Sequence, residues 1–191
     1  MLEFRLSGED AFRLHVKCVT GAPPFRRHRN SGVRRMPSRI LILSDTHGLI
    51  RPEIAEAAPG FDFVLHAGDI GSLECLEGLR AVNPNLIAVA GNVDGELIAA
   101  GFPEEVEWRQ EGYTFKIVHD IHALRGDSAG WDFVVFGHSH KPAEYRAGKT
   151  HFINPGSAGP RRFRLPISYA TMELSARTGY TLRFHEIPHR K

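Results

Sequence analysis

Residues 39–48, Arg39-Ile40-Leu41-Ile42-Leu43-Ser44-Asp45-Thr46-His47-Gly48, set the pattern for the rest of the chain. Four consecutive branched apolar residues run into a polar turn that carries a carboxylate and an imidazole. A run this short, with no polar alternation, reads as a strand buried on both faces. The design recurs where Phe61–Leu65 leads to Gly68-Asp69 and where Leu86–Ala90 leads to Gly91-Asn92. Between these strands the sequence predicts helices over 51–58, with Pro52 near the start, and over 72–82, with Ser72 as N-cap. Strand, helix, strand in this order implies parallel strands joined by right-handed crossovers. Open α/β sheets gather their ligands at the carboxyl ends of such strands.

The second half is strand-rich. Val106–Gln110 and Tyr113–Val118 flank Glu111-Gly112 as a hairpin, Phe133–Phe136 is another buried run, and strands are predicted near 142–147, 150–154, 168–174 and 180–186. The fold class expected is α/β: a two-sheet β-sandwich, partly parallel, flanked by helices, with the site at one end.

With 191 residues, 42% of them apolar, the chain supports one well-buried core and is short for two ordinary domains. Its formal charge of +2 hides an asymmetry, because the first thirty-five residues hold eight of the 24 Lys and Arg but three of the 22 Asp and Glu. Residues 1–37, with Gly21-Ala22-Pro23-Pro24 and the basic run from Arg26 to Arg35, show no period of two or 3.6. They read as a flexible basic extension ahead of a domain over 38–191. Such a segment is either a dispensable tail, with Met36 a candidate first residue, or a basic arm for nucleic acid or targeting. Two cysteines, Cys18 and Cys75, make no disulfide framework. No run approaches the eighteen or so apolar residues of a spanning helix, and the expected location is the cytoplasm.

Five strand ends carry metal-ligand residue types: Asp45 and His47 on one turn, Asp69, Asn92, His119, and the pair His138 and His140. Glycines stand beside three of them, at Gly68, Gly91 and Gly137, where a missing Cβ lets the backbone bend and the ligand reach inward. Carboxylate, imidazole and amide without sulfur suit divalent ions such as Mn²⁺, Fe²⁺, Zn²⁺ or Mg²⁺. Each residue alone is weak testimony, since Gly-Asp is usually a turn and a lone His usually sits on the surface or in the core. The specificity lies in the order, each closing an apolar strand.

On these residues the chain resembles the calcineurin-like metallophosphoesterases, and among them the small phosphodiesterases of the YfcE type. The matching segments are Ser44–Gly48, His66–Asp69, Gly91–Asp94, Val118-His119, Gly137–His140 and Asn154–Ser157, followed by Pro160-Arg161. The resemblance covers the body from about residue 38. It implies the layered αββα form of that family and a pair of divalent ions, Mn²⁺ foremost, with Fe²⁺, Zn²⁺, Ni²⁺ or Mg²⁺ as alternatives. One ion would take Asp45, His47, Asp69 and His140, and the other Asp69, Asn92, His119 and His138, so that Asp69 bridges. The implied reaction is hydrolysis of a phosphate ester by a hydroxide shared between the ions.

Two positions depart from the wider family. Val93 stands where many relatives have a histidine that assists the leaving group, and Asp94 follows it, either as a catalytic group or as one that orients a ligand. Asp120 replaces a glycine in Val118-His119-Asp120-Ile121-His122, leaving His122 as either a proton donor or a plain surface residue. The turn Asn154–Arg162 has two readings as well: a rigid loop whose Asn154 satisfies backbone groups, or a substrate clamp of Asn154, Ser157 and Arg161 or Arg162. His66 reads as a histidine behind the site. The expected partner is a small phosphate ester and not a membrane, with nucleic acid less favoured. The rivals are a catalytically weak or inactive protein-binding scaffold of the same fold and, less favoured, a nuclease.

Overall fold

The computed structural model describes residues 36–124, 130–162 and 164–188. The expected basic extension over 1–37 lies outside the described residues except for Met36 and Pro37. The elements run β1 (Ser38–Leu43), α1 (Pro52–Ala57), β2 (Phe63–Ala67), α2 (Leu73–Val82), β3 (Leu86–Val89), α3 (Gly95–Ala99), β4 (Glu105–Gln110), β5 (Tyr113–Val118), β6 (Phe133–Val135), β7 (Ala143–Ala147), β8 (Thr150–Asn154), β9 (Ile167–Ser175) and β10 (Gly179–Ile187).

They form two five-stranded mixed sheets, ordered β10-β9-β1-β2-β3 and β4-β5-β6-β8-β7. In the first, β1, β2 and β3 are parallel, while β9 runs antiparallel between β1 and β10. In the second, β5, β6 and β8 are parallel, with β4 and β7 antiparallel at the edges. The apolar run of β1 is continuous because both its faces are covered. Ile40 and Ile42 pack between the sheets with Leu65, Phe115, Phe133 and Met172, whereas Leu41 and Leu43 pack outward under Ile54, Leu76 and Leu79 of the helices.

Local chemistry sets the boundaries. The Ser72 side chain accepts from the Cys75 amide at 3.1 Å and opens α2. Pro52 stands at the first turn of α1, where its missing N–H costs nothing. Glu111 and Gly112 both have positive φ, 52° and 85°, the backbone that a tight two-residue hairpin turn needs. Among the described residues the α-helices lie over the first sheet. The outer face of the second is covered by Ile121, Leu124 and Trp131, packed on Val118, Val134, Phe136 and Phe152.

Candidate metal centre

Side-by-side parallel strands deliver their carboxyl ends to one edge, and the predicted ligands are the residues found there. Asp45 and His47 follow β1, Asp69 follows β2, Asn92 follows β3, His119 follows β5, and His138 and His140 follow β6. Ligand atoms of Asp45, His47, Asp69 and His140 all lie within 4.8 Å of one another. His140 Nε2 is 3.3 Å from Asp45 Oδ1, and the two imidazole Nε2 atoms of His47 and His140 approach to 3.3 Å. Beside this group, Asn92 Oδ1 stands 3.0 Å from both His119 Nε2 and His138 Nδ1. Asp69 faces both groups, with Oδ2 3.7 Å from His47 Nε2 and Oδ1 3.2 Å from His119 Nε2.

The backbone is bent to achieve this. Among the described residues six non-glycine positions have positive φ, and five are predicted ligands: Asp45, His47, Asp69, His138 and His140. Side chains avoid this region, and each such residue costs on the order of 1 kcal/mol, tolerated where surrounding structure over-determines it. The over-determination is visible in the loop ladder, since Asp45 N–H donates to Gly68 O, His47 N–H to Asp69 O and Gly48 N–H to Ile70 O, at 3.0, 2.9 and 2.7 Å. The Thr46 hydroxyl adds a bond to the same Ile70 carbonyl at 3.2 Å.

The expected role of the flanking glycines is met sterically. A Cβ on Gly68 would stand 2.7 Å from the His119 ring, and one on Gly91 would collide with Oδ1 and N of Asp69. Gly91→Ala is therefore expected to cost about 1–3 kcal/mol by overpacking and to weaken Mn²⁺ binding with it. Thermal unfolding and metal titration beside Gly95→Ala, whose Cβ would meet nothing within 4 Å, would check this.

The electrostatics describe a site made for cations. Both oxygens of Asp45 are buried and make no well-formed hydrogen bond; the Ser44 hydroxyl donates to Ala67 O at 3.2 Å. Burial pushes the Asp45 carboxyl up to about 6, although the Ser44 hydroxyl and the His138 amide still pull it down. Burial also lowers His47, and it lowers His140 to about 4, helped there by His47 and Arg162. Both imidazoles are thus neutral and able to ligate at pH 7. Burial works to raise Asp69, but the His119 ring and the Val93 amide outweigh it and hold the carboxylate below its usual range. Conversely, burial works to lower His119, and its bonds to Asp69 and Ala67 O leave it raised. The His119 Nδ1 to Ala67 O distance of 2.7 Å fixes the ring so that Nε2 faces Asn92 and Asp69. Buried carboxylate oxygens, beside neutral imidazoles and an amide oxygen, fit hard or borderline divalent ions.

Residues 39–177 match the profile of the Calcineurin-like phosphoesterase superfamily domain. The chain belongs to that superfamily. The probable metallophosphoesterase YsnB of Bacillus subtilis is 32% identical over 162 residues, which cover 77% of this chain and 90% of YsnB. Among solved structures, the phosphoesterase YfcE of Escherichia coli superposes with a TM-score of 0.56 at 20% identity, over 78% of this chain and all of YfcE. Wild-type Vps29 of Entamoeba histolytica complexed with Zn²⁺ superposes with a TM-score of 0.61 at 18% identity, over 78% of this chain and 98% of Vps29. At these identities the structural likenesses speak to the fold, two mixed sheets flanked by few helices.

In this calcineurin-like chain the other predicted site residues sit apart from the ligand atoms. Asn154 is buried, donating Nδ2 to Gly137 O at 2.7 Å and to Ser139 Oγ at 3.1 Å, while its Oδ1 accepts from Gly156 N–H. Ser157 is buried too, donating to Asp45 O at 2.9 Å. Both hold ligand loops from behind rather than facing a substrate. Arg161 is exposed, and its Nε donates to Leu165 O. Arg162, also exposed, is the guanidinium whose charge is felt at His47 and His140. Asp94 is buried with both oxygens taken by backbone amides, and His122 is exposed on a short 3-10 turn. His66 is wholly buried, lowered to about 3 by desolvation, and bonded through Nε2 to Thr46 Oγ1 at 3.0 Å. Thr46, the Ala67 carbonyl and the Val93 amide carry no signal in the sequence, two of them because they act through backbone atoms that side-chain identity does not reveal.

Proposed function

We propose that the chain is a metal-dependent phosphodiesterase holding two divalent ions, Mn²⁺ foremost, one on Asp45, His47, Asp69 and His140 and one on Asp69, Asn92, His119 and His138. The observation that carries the proposal is the buried Asp45 carboxylate, without a well-formed hydrogen bond and set among four other candidate ligands in strained backbone. Bound there, such ions supply an activated water and neutralise charge that builds on phosphoryl oxygens during in-line displacement. The chain's own contribution is orientation: Asp69 serves both ions, and Ala67 O and Asn154 fix the His119 ring and the His138–His140 loop. Arg162, exposed and close enough for its charge to be felt at His47 and His140, would offer its guanidinium to a phosphate oxygen.

The substrate class follows from what surrounds the ligands. Val93, next to Asn92, is exposed and has no proton to give, and Leu49, on the turn after His47, and Leu73, at the start of α2, are exposed as well. A valine beside Asn92, with exposed leucines near the ligand turns, favours small diesters with a flat or apolar group that leaves as a stable anion. A cytoplasmic setting suits a chain with two cysteines, of which Cys75 is buried. Among the described residues no helix is long and apolar enough to cross a membrane.

Mn²⁺-loaded protein is expected to hydrolyse a bis(aryl) phosphate, with turnover abolished by a chelator and restored by Mn²⁺. Full metal occupancy with no turnover on any phosphate ester would refute the proposal and favour the scaffold reading, in which partner binding survives loss of metal.

A further inference from the structure

Asp69 and Asp94 exchange carboxylates across two neighbouring turns. Asp69 Oδ1 accepts from the Val93 amide at 3.1 Å, inside the turn that presents Asn92. Asp94, in that same turn, reaches back: Oδ2 accepts from Ile70 N–H at 3.0 Å and Oδ1 from Gly71 N–H at 2.7 Å. Oδ2 also accepts from Gly91 N–H at 2.8 Å, closing the Asn92 turn on itself. The turn is closed a second time by Asp94 N–H to Gly91 O at 3.1 Å. Ile70, fully buried and next to Asp69, is thereby fastened on both sides, since its carbonyl already accepts from Gly48 N–H and the Thr46 hydroxyl.

We infer that Asp94 is a positioning residue: its carboxylate ties the Asp69 turn to the Asn92 turn and so sets the spacing of the ligands for the ion held with His119 and His138. The inference rests on the proposed dinuclear reading of the site. Its chemical content is that the three partners are all N–H donors, so the position calls for an acceptor-only group. Asparagine has nearly the same shape but turns an NH₂ toward at least one backbone N–H. Donor then faces donor in a buried place, where an unmet polar group is expensive. With both oxygens engaged by the backbone, Asp94 acts on the reaction through Asp69 and Asn92 and does not touch the substrate.

The test is Mn²⁺ titration of metal-free wild type and Asp94→Asn, followed by calorimetry and by electron paramagnetic resonance. Wild type is expected to bind two ions and show the exchange-coupled signal of a manganese pair. Asp94→Asn is expected to bind the second ion at least about tenfold more weakly, to show the isolated-ion signal at one equivalent, and to regain coupling and turnover when Mn²⁺ is raised. Wild type that binds fewer than two ions would overturn the dinuclear reading itself. Two ions bound by Asp94→Asn with wild-type affinity would overturn the role given to Asp94, as would a rate loss at full occupancy that disappears with better leaving groups, the mark of a lost proton donor. Should Asp94→Asn fail to fold, Asp94→Glu keeps an acceptor-only carboxylate one methylene displaced, and the same selective weakening is expected of it.

Discussion

Replacing Asp69 with alanine is expected to lower kcat/KM on an aryl phosphodiester by roughly a thousandfold or more, equivalent to about 4 kcal/mol of transition-state stabilisation. Asp69 faces both ligand groups of the proposed centre, with Oδ2 toward His47 and Oδ1 toward His119. Two close cations would repel, and in the proposed pair Asp69 would supply negative charge to both. Its loss also frees the Val93 amide and removes the partner that holds His119 in register. Metal analysis should show fewer than two ions per chain, with the ion at Asn92, His119 and His138 lost first. The fold should persist, because the cores on either face of β2 do not include Asp69. A variant that retained two ions and more than a tenth of the wild-type rate would mean that Asp69 does not bridge.

The parts of this architecture that a sequence reveals are those decided by neighbours along the chain. Ile40–Leu43 announces a strand covered on both faces because both faces of β1 are in fact packed, and Ser72 announces a helix because its side chain can reach the Cys75 amide three residues on. The gathering of the candidate ligands was legible for a related reason: parallel strands present their carboxyl ends together, so the residues after each apolar run come together at one end. Strand order was not legible, since nothing local places β9 between β1 and β10. The five-residue α3 is too short to show a period. The least legible were polar residues whose partners are backbone groups. Asn154 and Ser157 fitted both a loop brace and a substrate clamp, and the structure turns them to Gly137 O and Asp45 O. Asp94 fitted both a catalytic group and an orienting one, and its three amide donors come from two separate turns.

Asp45→Asn is expected to act in opposite directions on the metal-free and the metal-loaded protein. The Asp45 carboxyl is held at about 6 in the folded chain against an ordinary value of 3.8, so the folded state binds its proton more tightly than the unfolded state does. The associated stability is fully present below pH 3.8 and is lost as pH rises through about 6, where folding requires a buried anion. At pH 7.5 in chelator that loss is about 3 kcal/mol at 1.36 kcal/mol per pH unit. Asparagine carries no charge to bury, so metal-free Asp45→Asn should unfold at a higher temperature than metal-free wild type at pH 7.5, with the advantage shrinking toward pH 4. Added Mn²⁺ should reverse the order, because wild type gains binding energy, about 4 kcal/mol at a thousand times Kd, while the variant lacks the carboxylate that makes the site. Thermal unfolding at two pH values, with chelator and with Mn²⁺, reads all four conditions. A metal-free variant less stable than wild type at pH 7.5, or an advantage unchanged by pH, would mean that Asp45 is not a buried anion awaiting a cation, and the strongest physical ground for the metal centre would be gone.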